Sequence, residues 1–139
     1  MEDDENVKVC KVIFLGELGV GKTCIIDRFI NDNFTDEQKT IIPTYTVKTM
    51  TFDEFQGKSV NFEIWDTAGL EKYHALTKMF YKNAGVAILV YDITNKKSFE
   101  KIQKYWSIQI KKFSPKDISK KLYILKIIFF SFSHCNSRK

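Results

Sequence analysis

An eight-residue glycine-rich segment constrains the fold more than any other part of the sequence. Residues 16–23 read Gly-Glu-Leu-Gly-Val-Gly-Lys-Thr and match the pattern G-x-x-x-x-G-K-[ST] at every fixed position. Glycines in such a loop let consecutive backbone N–H groups turn towards a polyphosphate, and the following helix directs its positive end at the same anion. The pattern predicts a strand before the loop, a helix after it, and a nucleoside triphosphate between them.

Two side chains of this loop carry its chemistry. Lys22 would reach the terminal phosphates, and the Thr23 hydroxyl would ligate the Mg²⁺ that accompanies the nucleotide. The nucleotide-binding residues predicted from this segment are Gly16, Glu17, Leu18, Gly19, Val20, Gly21, Lys22, Thr23 and Cys24.

The rest of the chain alternates strand-like and helix-like segments. Val7–Leu15 is apolar and β-branched, and residues 96–113 repeat apolar side chains at spacings of three and four, as an amphipathic helix does. Strands alternating with helices predict an α/β fold with a mostly parallel sheet covered on both faces. The other segments are a helix at 23–31, a loop at 31–43, an antiparallel pair at 45–55 and 59–65, a helix at 70–82, and strands at 86–92 and 122–130.

A second motif, Asp66-Thr67-Ala68-Gly69, directly follows one of these strands. Ligands of open α/β sheets bind at the carboxyl ends of strands, so the Asp66 carboxylate would lie near Mg²⁺ and the Gly69 N–H near the γ-phosphate. With the glycine-rich loop, this order of motifs resembles the Ras superfamily of small GTPases. The resemblance implies the P-loop NTPase fold, a three-layer α/β/α arrangement, with GTP or GDP as ligand and Mg²⁺ as cofactor.

Within that superfamily the chain is most similar to the Rab family over about residues 7–113. The matching segments are Gly-Val-Gly-Lys-Thr-Cys at 19–24, Ile-Trp-Asp-Thr-Ala-Gly at 64–69, and Leu-Val-Tyr-Asp-Ile-Thr-Asn at 89–95 followed by Ser98-Phe99. The run Glu-Lys-Tyr-His-Ala-Leu at 71–76 further resembles the endosomal Rab branch.

The resemblance implies roles for residues outside the two motifs. Phe34 would pack on the guanine, and a switch threonine would bind Mg²⁺ and the γ-phosphate. Thr40 is the preferred threonine, provided that the hairpin near residues 53–56 contains extra residues, and Thr44 is the rival. The implied catalytic set is Lys22, Thr40, Gly69 and Leu70, and the implied metal set is Thr23, Thr40 and Asp66.

The family likeness also implies a surface for protein partners. Tyr45, Trp65 and Phe80 match the aromatic triad through which Rab proteins meet effectors. The alternative interpretation is that these three side chains only pack within the protein, in the sheet and against a helix, and contact no partner. Rab-type effectors, an exchange factor and a GTPase-activating protein are the implied partners.

Three departures from the family pattern change what we expect of the chemistry. Leu70 stands where the family has the glutamine that orients the attacking water, and leucine has no group that can do so. The guanine-reading N-K-x-D element does not follow the strand that begins near residue 121. The usual last strand and last two helices have no residues to form them, and Cys135 is one place too early for prenylation, so the prenyl anchor is expected to be absent.

Composition bounds the remaining possibilities. A chain of 139 residues predicts one domain, with an acidic tail at 1–6, a truncated small-GTPase domain at 7–130 and a polar tail at 131–139. Three cysteines without paired spacing and an acidic start indicate a cytoplasmic protein, which would reach endosomal membranes only through another recruiting signal. The apolar run at 122–132 is too short to span a bilayer.

The charge is unevenly distributed. Residues 96–139 hold twelve Lys and Arg against two acidic residues, whereas residues 1–95 hold ten against fifteen. Nucleic acid and anionic membranes both attract such a surface, but a solvated helix face is the simpler interpretation. We expect no nucleic-acid partner.

Together these features predict a Rab-like GTP/GDP switch in vesicle traffic that hydrolyses GTP slowly. The alternative is a catalytically inactive nucleotide-binding interaction module or a truncated product.

Overall fold

The computed structural model of the chain describes residues 7–33, 43–67 and 79–113. Four strands form one sheet in the order β2-β3-β1-β4. β1 pairs in parallel with both β3 and β4, and β2 pairs antiparallel with β3. The strands are β1 (Val7–Leu15), β2 (Thr44–Phe52), β3 (Lys58–Asp66) and β4 (Val86–Leu89), and the first helix is α1 (Lys22–Asn31). This mostly parallel sheet confirms the predicted α/β class.

The central strand β1 is buried on both faces because its last four residues are all apolar. Ile13 and Leu15 pack on one face with Tyr81 and the long helix that follows β4. Val12 and Phe14 pack on the opposite face against α1. Successive side chains of a strand alternate between faces, so an uninterrupted apolar run suits a strand with a helix on each side.

One continuous helical segment, called here the long helix, covers residues 96–113. It consists of α2 (Lys96–Lys101), a π-helical stretch (Ile102–Trp106) and α3 (Ser107–Phe113). Asn95 caps it, since its side-chain oxygen accepts a hydrogen bond from the Lys97 N–H at 3.1 Å. The predicted bounds are confirmed, but Phe99 is 38% exposed and packs beside the Tyr91 ring instead of in the core.

The β2–β3 hairpin closes through five residues. Phe52 is paired with Lys58, and a single 3₁₀ turn (Asp53–Phe55) lies between them. Gln56 and Gly57 both have positive φ, of 61° and 69°, which completes the reversal. The sequence predicted an antiparallel pair here, and the structure shortens its first strand by three residues because the chain coils into the 3₁₀ turn.

The prediction for β4 was too long. The sequence predicted a strand over 86–92, whereas the ladder ends at Leu89. The Asp92 carboxylate accepts hydrogen bonds from the Thr94 N–H at 2.8 Å and the Thr94 hydroxyl at 2.6 Å, and this turn redirects the chain before the long helix. The predicted strand at 122–130, most of the helix at 70–82 and most of the loop at 31–43 lie outside the described residues.

Candidate functional site

The glycine-rich loop leaves the carboxyl end of β1 and runs directly into α1. Gly16 has φ of 151°, and a Cβ built on it would lie 2.2 Å from the Val90 carbonyl oxygen. No other residue type fits this close approach. The Val90 N–H in turn donates to the Leu15 carbonyl at 2.8 Å, so the start of the loop is held against the end of β4.

The end of the loop forms the amino terminus of α1. Gly21 is the N-cap residue, with φ of 98° and ψ of 19°, and its position carries no side-chain capping hydrogen bond. The first turn of α1 contains no acidic side chain. Backbone N–H groups at such a terminus need acceptors and carry the positive end of the helix dipole, which suits an anion.

Lys22 places a cation underneath the loop. The side chain is 5% exposed, and its Nζ donates to the carbonyl oxygens of Gly16 and Glu17, at 2.8 Å each. The backbone of the loop therefore wraps around the ammonium group. A buried positive charge in a cup of glycine-rich backbone is the arrangement that a polyphosphate requires.

Thr23 and Asp66 bring two oxygen ligands together from opposite sides of the site. Thr23 Oγ1 donates to Asp66 Oδ2 at 2.5 Å, and Asp66, at the end of β3, is 1% exposed. The adjacent Thr67 donates to the Phe14 carbonyl, which fixes the chain after β3 against β1. The hydroxyl and carboxylate are hard oxygen donors, and Mg²⁺ commonly binds one or two protein groups together with waters and phosphates. This donor set fits the predicted Mg²⁺.

In the part of the chain that the structure describes, no larger ligand cluster competes with this pair. Among residues 7–33, 43–67 and 79–113, no group of three or more His, Cys, Asp and Glu side chains could hold a metal ion. The candidate metal position therefore rests on Thr23 and Asp66 within that part of the chain.

The other predicted loop residues divide between core and surface. Val20 is buried in the core beneath α1, Glu17 and Cys24 are half-buried, and Leu18 is 45% exposed. Thr44 begins β2 directly opposite Asp66 in the hairpin register and is exposed. Four of the predicted site residues lie outside the described residues, namely Phe34, Thr40, Gly69 and Leu70.

The three predicted partner-facing aromatics form one continuous cluster. The Tyr45 and Trp65 ring centroids are 4.9 Å apart, and those of Trp65 and Phe80 are 5.6 Å apart. Tyr45 is 49% exposed, Trp65 is half-buried, and Phe80 is only 3% exposed. A partner approaching this surface would meet Tyr45 and one edge of Trp65, while Phe80 supports the indole from within.

Lys11 joins this aromatic cluster to the chain at residues 79–82, a role that sequence reasoning missed. Its Nζ lies 4.8 Å from the Trp65 ring centroid and donates to the carbonyls of Met79 at 3.1 Å and Lys82 at 2.8 Å. The available signal was a lysine placed directly before the apolar run of β1. Burial lowers the pKa of Lys11, and the nearby Glu63 carboxylate partly opposes that shift.

A groove of about 520 Å³ borders the same cluster, with Val9, Trp65 and Met79 among its lining residues. Val9 and Met79 are 63% and 53% exposed, so apolar surface extends from the aromatic cluster across β1. Tyr45 lies at the rim of this region on β2, and its pKa is raised by desolvation and then by the Glu63 carboxylate, to which its hydroxyl donates.

Comparison with known proteins agrees with this geometry. A profile of the Ras family matches residues 11–127. Rab-5B of Dictyostelium discoideum is 42% identical over 105 residues, which cover 76% of this chain and 48% of that protein. Rab-10 of Caenorhabditis elegans is 43% identical over 111 residues, covering 79% of this chain and 53% of that protein. RABF2a of Arabidopsis thaliana is 42% identical over 96 residues, which cover 68% of this chain and 46% of that protein.

These relatives define the family and the extent of the likeness. The chain spans about half the length of the curated relatives it matches. Their names carry several different Rab numbers, so the comparisons identify the Rab family and not one branch of it. The matched profile includes the glycine-rich loop, Lys22, Thr23 and Asp66, whose geometry is described above. The chain therefore belongs to the Ras superfamily of small GTPases, in its Rab family.

Proposed function

We propose that the chain binds GTP and GDP with Mg²⁺ and acts as a slowly hydrolysing switch in vesicle traffic. The observation that carries this proposal is the position of Lys22 under the glycine-rich loop, with the Thr23–Asp66 pair beside it. A buried ammonium, a helix amino terminus and two oxygen ligands at one sheet edge provide complementary contacts for a metal-bound polyphosphate.

In this proposal the protein acts by positioning and electrostatics. Lys22 and the loop N–H groups hold the phosphates, and the Gly69 N–H approaches the γ-phosphate. Mg²⁺, held by Thr23, Asp66 and Thr40, would supply positive charge beside the phosphate oxygens. Such contacts stabilise charge that spreads over the transferring phosphoryl group without any covalent step by the protein.

The hairpin supports Thr40 over Thr44 as the switch threonine. Assigning Thr40 requires extra residues near 53–56, and the 3₁₀ turn (Asp53–Phe55) supplies three residues at that place. Thr44 is a member of the β2–β3 ladder, so its backbone is held by the sheet. A switch residue must move when the γ-phosphate leaves, which argues against a residue whose backbone is held in a ladder. Phe34 would pack on the base.

Leu70 would limit turnover. It follows Gly69, where the family has the glutamine that orients the attacking water, and its side chain neither accepts nor donates a hydrogen bond. Slow hydrolysis would prolong the GTP-bound state, in which Rab-type effectors bind the surface around Tyr45 and Trp65. We further propose an exchange factor and a GTPase-activating protein as partners, and a cytoplasmic protein peripheral to endosomal membranes.

Nucleotide binding by the purified 139-residue chain tests this proposal. Fluorescent GDP should bind with Mg²⁺, dissociate faster when the metal is chelated, and be displaced by GTP. Lys22→Met should abolish binding, because it removes charge-assisted hydrogen bonds worth about 1.5–3 kcal/mol each. Lys58→Met, at an exposed lysine in the hairpin, is the matched control. A folded chain that binds no guanine nucleotide would overturn the proposal.

The second candidate function is a nucleotide-binding interaction module without catalysis, and Leu70 is the observation that favours it. Single-turnover GDP formation separates the two functions, since only the switch produces GDP. Competition by ATP measures base selectivity, which should be weak if the guanine-reading element is missing. A site that hydrogen-bonds to the polar groups of its substrate can favour that substrate over an analogue lacking them by a factor of about 10⁴–10⁵.

A further inference from the structure

The long helix presents a regular outer row of residues that faces away from the core. Its buried positions recur every four residues at Ser98, Ile102, Trp106 and Ile110, because the π-helical stretch keeps them in line. A residue two positions away lies about 200° around a helix, so a second row faces outwards. That outer row is Lys96, Glu100, Lys104, Ile108 and Lys112.

The charged residues on the surface of this helix are almost all basic. All six lysines of residues 96–113 are exposed, and Glu100 is the one acidic residue in that range. Glu100 lies 3.6 Å from Lys104 in an open ion pair, with 75% of the lysine side chain exposed. A single exposed pair leaves most of the positive charge of this face available to an outside partner. We call this face, with Ile108 at its centre, the basic face.

The part of the sequence that precedes the long helix has the opposite sign of charge. Residues 1–95 hold ten Lys and Arg and fifteen Asp and Glu, a net charge of −5, whereas residues 96–139 hold twelve and two, a net charge of +10. Within the described residues, the long helix holds six lysines and one glutamate, a net charge of +5, whereas residues 7–33, 43–67 and 79–95 hold seven Lys and Arg and eight Asp and Glu. The positive charge of the described part is therefore concentrated on the long helix, which is the element that an anionic surface would attract.

We propose that the basic face docks on an anionic lipid bilayer. The charge is carried by lysines alone, with no arginine in residues 96–113. Lysine is a compact, strongly hydrated charge that suits a diffuse field of headgroups, whereas arginine suits paired hydrogen bonds to one phosphate. The long helix has 18 residues, and at about 1.5 Å per residue such a helix extends roughly 27 Å along the surface that it contacts.

Ile108 distinguishes a bilayer from other anionic partners. It is 53% exposed and stands among the lysines of the outer row. An apolar side chain surrounded by lysines is the pattern of segments that lie in the membrane interface, because the side chain enters the acyl boundary while the charges stay with the headgroups. None of the helices in the described part of the chain is long and apolar enough to cross a membrane.

Vesicle co-sedimentation of the purified chain tests the basic face. We expect binding to vesicles of phosphatidylcholine with phosphatidylserine, and none to phosphatidylcholine alone. Each lysine near an anionic surface contributes about fivefold in affinity, so Lys104→Gln with Lys112→Gln should weaken binding about 25-fold. The control is Lys8→Gln with Lys58→Gln, which removes the same charge from exposed positions in β1 and the hairpin and should leave the affinity unchanged.

The apolar contribution is tested separately. Ile108→Ser should weaken vesicle binding, whereas Ile93→Ser, at another exposed isoleucine outside the helix, should not. Equal losses in both lysine pairs, or equal binding to both vesicle types, would overturn the proposal. Tighter binding to duplex DNA than to the anionic vesicles at the same salt concentration, with the same lysine dependence, would assign the face to nucleic acid instead. Neither assay involves nucleotide, so their outcome is independent of the proposed switch.

Discussion

The Gly16 backbone lies against the Val90 carbonyl so closely that an added Cβ would sit 2.2 Å from the oxygen. This approach lets the loop and the end of β4 share one edge of the sheet. Gly16→Ala should lower the free energy of unfolding by about 1–3 kcal/mol, because alanine is strained at this φ. The loss should exceed that range, because the Val90 carbonyl must also move away from the added Cβ. Urea unfolding followed by circular dichroism measures the change.

Gly57 provides the control for that substitution. It also has positive φ, 69°, but a Cβ there would meet nothing within 4 Å. Gly57→Ala should therefore cost only the strain of the left-handed conformation, about 1–2 kcal/mol. If the two alanine variants are equally stable, the close approach of Gly16 to Val90 is not present in solution.

Thr23→Ala should uncouple nucleotide affinity from Mg²⁺. Removing the hydroxyl takes away one oxygen ligand beside Asp66. Mutation of a residue that only hydrogen-bonds to a metal ligand already lowers metal affinity by about 10–100-fold, so the loss of a ligand itself should cost at least as much. The ratio of GDP dissociation rates with and without a chelator should fall at least about tenfold. Thr51→Ala removes an exposed hydroxyl that pairs with Ser59 at 2.9 Å, and it should preserve the ratio.

Leu70→Gln should accelerate GTP hydrolysis. The native chain is expected to turn over below the intrinsic rate of about 10⁻⁴ s⁻¹ for such proteins, since leucine cannot orient water. Single-turnover GDP formation measures both chains, and Leu70→Asn serves as a control whose amide is one methylene shorter. Native hydrolysis at or above that rate, unchanged by glutamine, contradicts the assigned role of Leu70.

Glu63→Gln should lower the pKa values of two neighbours at once. The carboxylate raises the pKa of Lys11 because an anion favours the ammonium form, and it raises the pKa of Tyr45 because an anion disfavours the phenolate. Both titrations should therefore move to lower pH in the variant. Resolved NMR signals of labelled lysine and tyrosine report the two midpoints. A shift in opposite directions would show that Glu63 does not face both groups.

Two isoleucines of the long helix should respond very differently to truncation. Ile110 is 2% exposed and Ile108 is 53% exposed, although they are two residues apart. Ile110→Ala should lower the free energy of unfolding by about 2–5 kcal/mol, whereas Ile108→Ala should stay within about 0.5 kcal/mol. Chemical denaturation measures both. Similar losses of stability in the two variants would show that the buried positions of the long helix do not recur every four residues.

The sequence predicted the parts of this structure that depend on local pattern. The apolar run of β1 and the fixed positions of the loop were sufficient to place Lys22 and Thr23 at the end of a strand. The order of motifs also brought Asp66 to the same edge. These features follow from residue type and spacing alone, so no tertiary information was needed to find them.

Other features depend on contacts between distant segments and left little signal. The contacts of Lys11 with Met79 and Trp65 join residues far apart in sequence, and only a lysine placed directly before the apolar run of β1 hinted at them. Phe99 fits a helical apolar pattern, but the buried positions recur every four residues through the π-helical stretch, so Ser98 and not Phe99 lies in line with them. A helical wheel with 3.6 residues per turn cannot anticipate such a change in phase.

The hairpin turn at Asp53–Phe55 has a practical consequence. The turn lies at the opposite end of β2 and β3 from Asp66. The ladder between the turn and Asp66 contains nine residue pairs, from Phe52–Lys58 to Thr44–Asp66. That is about 27 Å of strand. A fluorophore or an affinity tag grafted between Gln56 and Gly57 would thus sit far from the loop, giving a handle for immobilising the protein with its ligand site facing outwards.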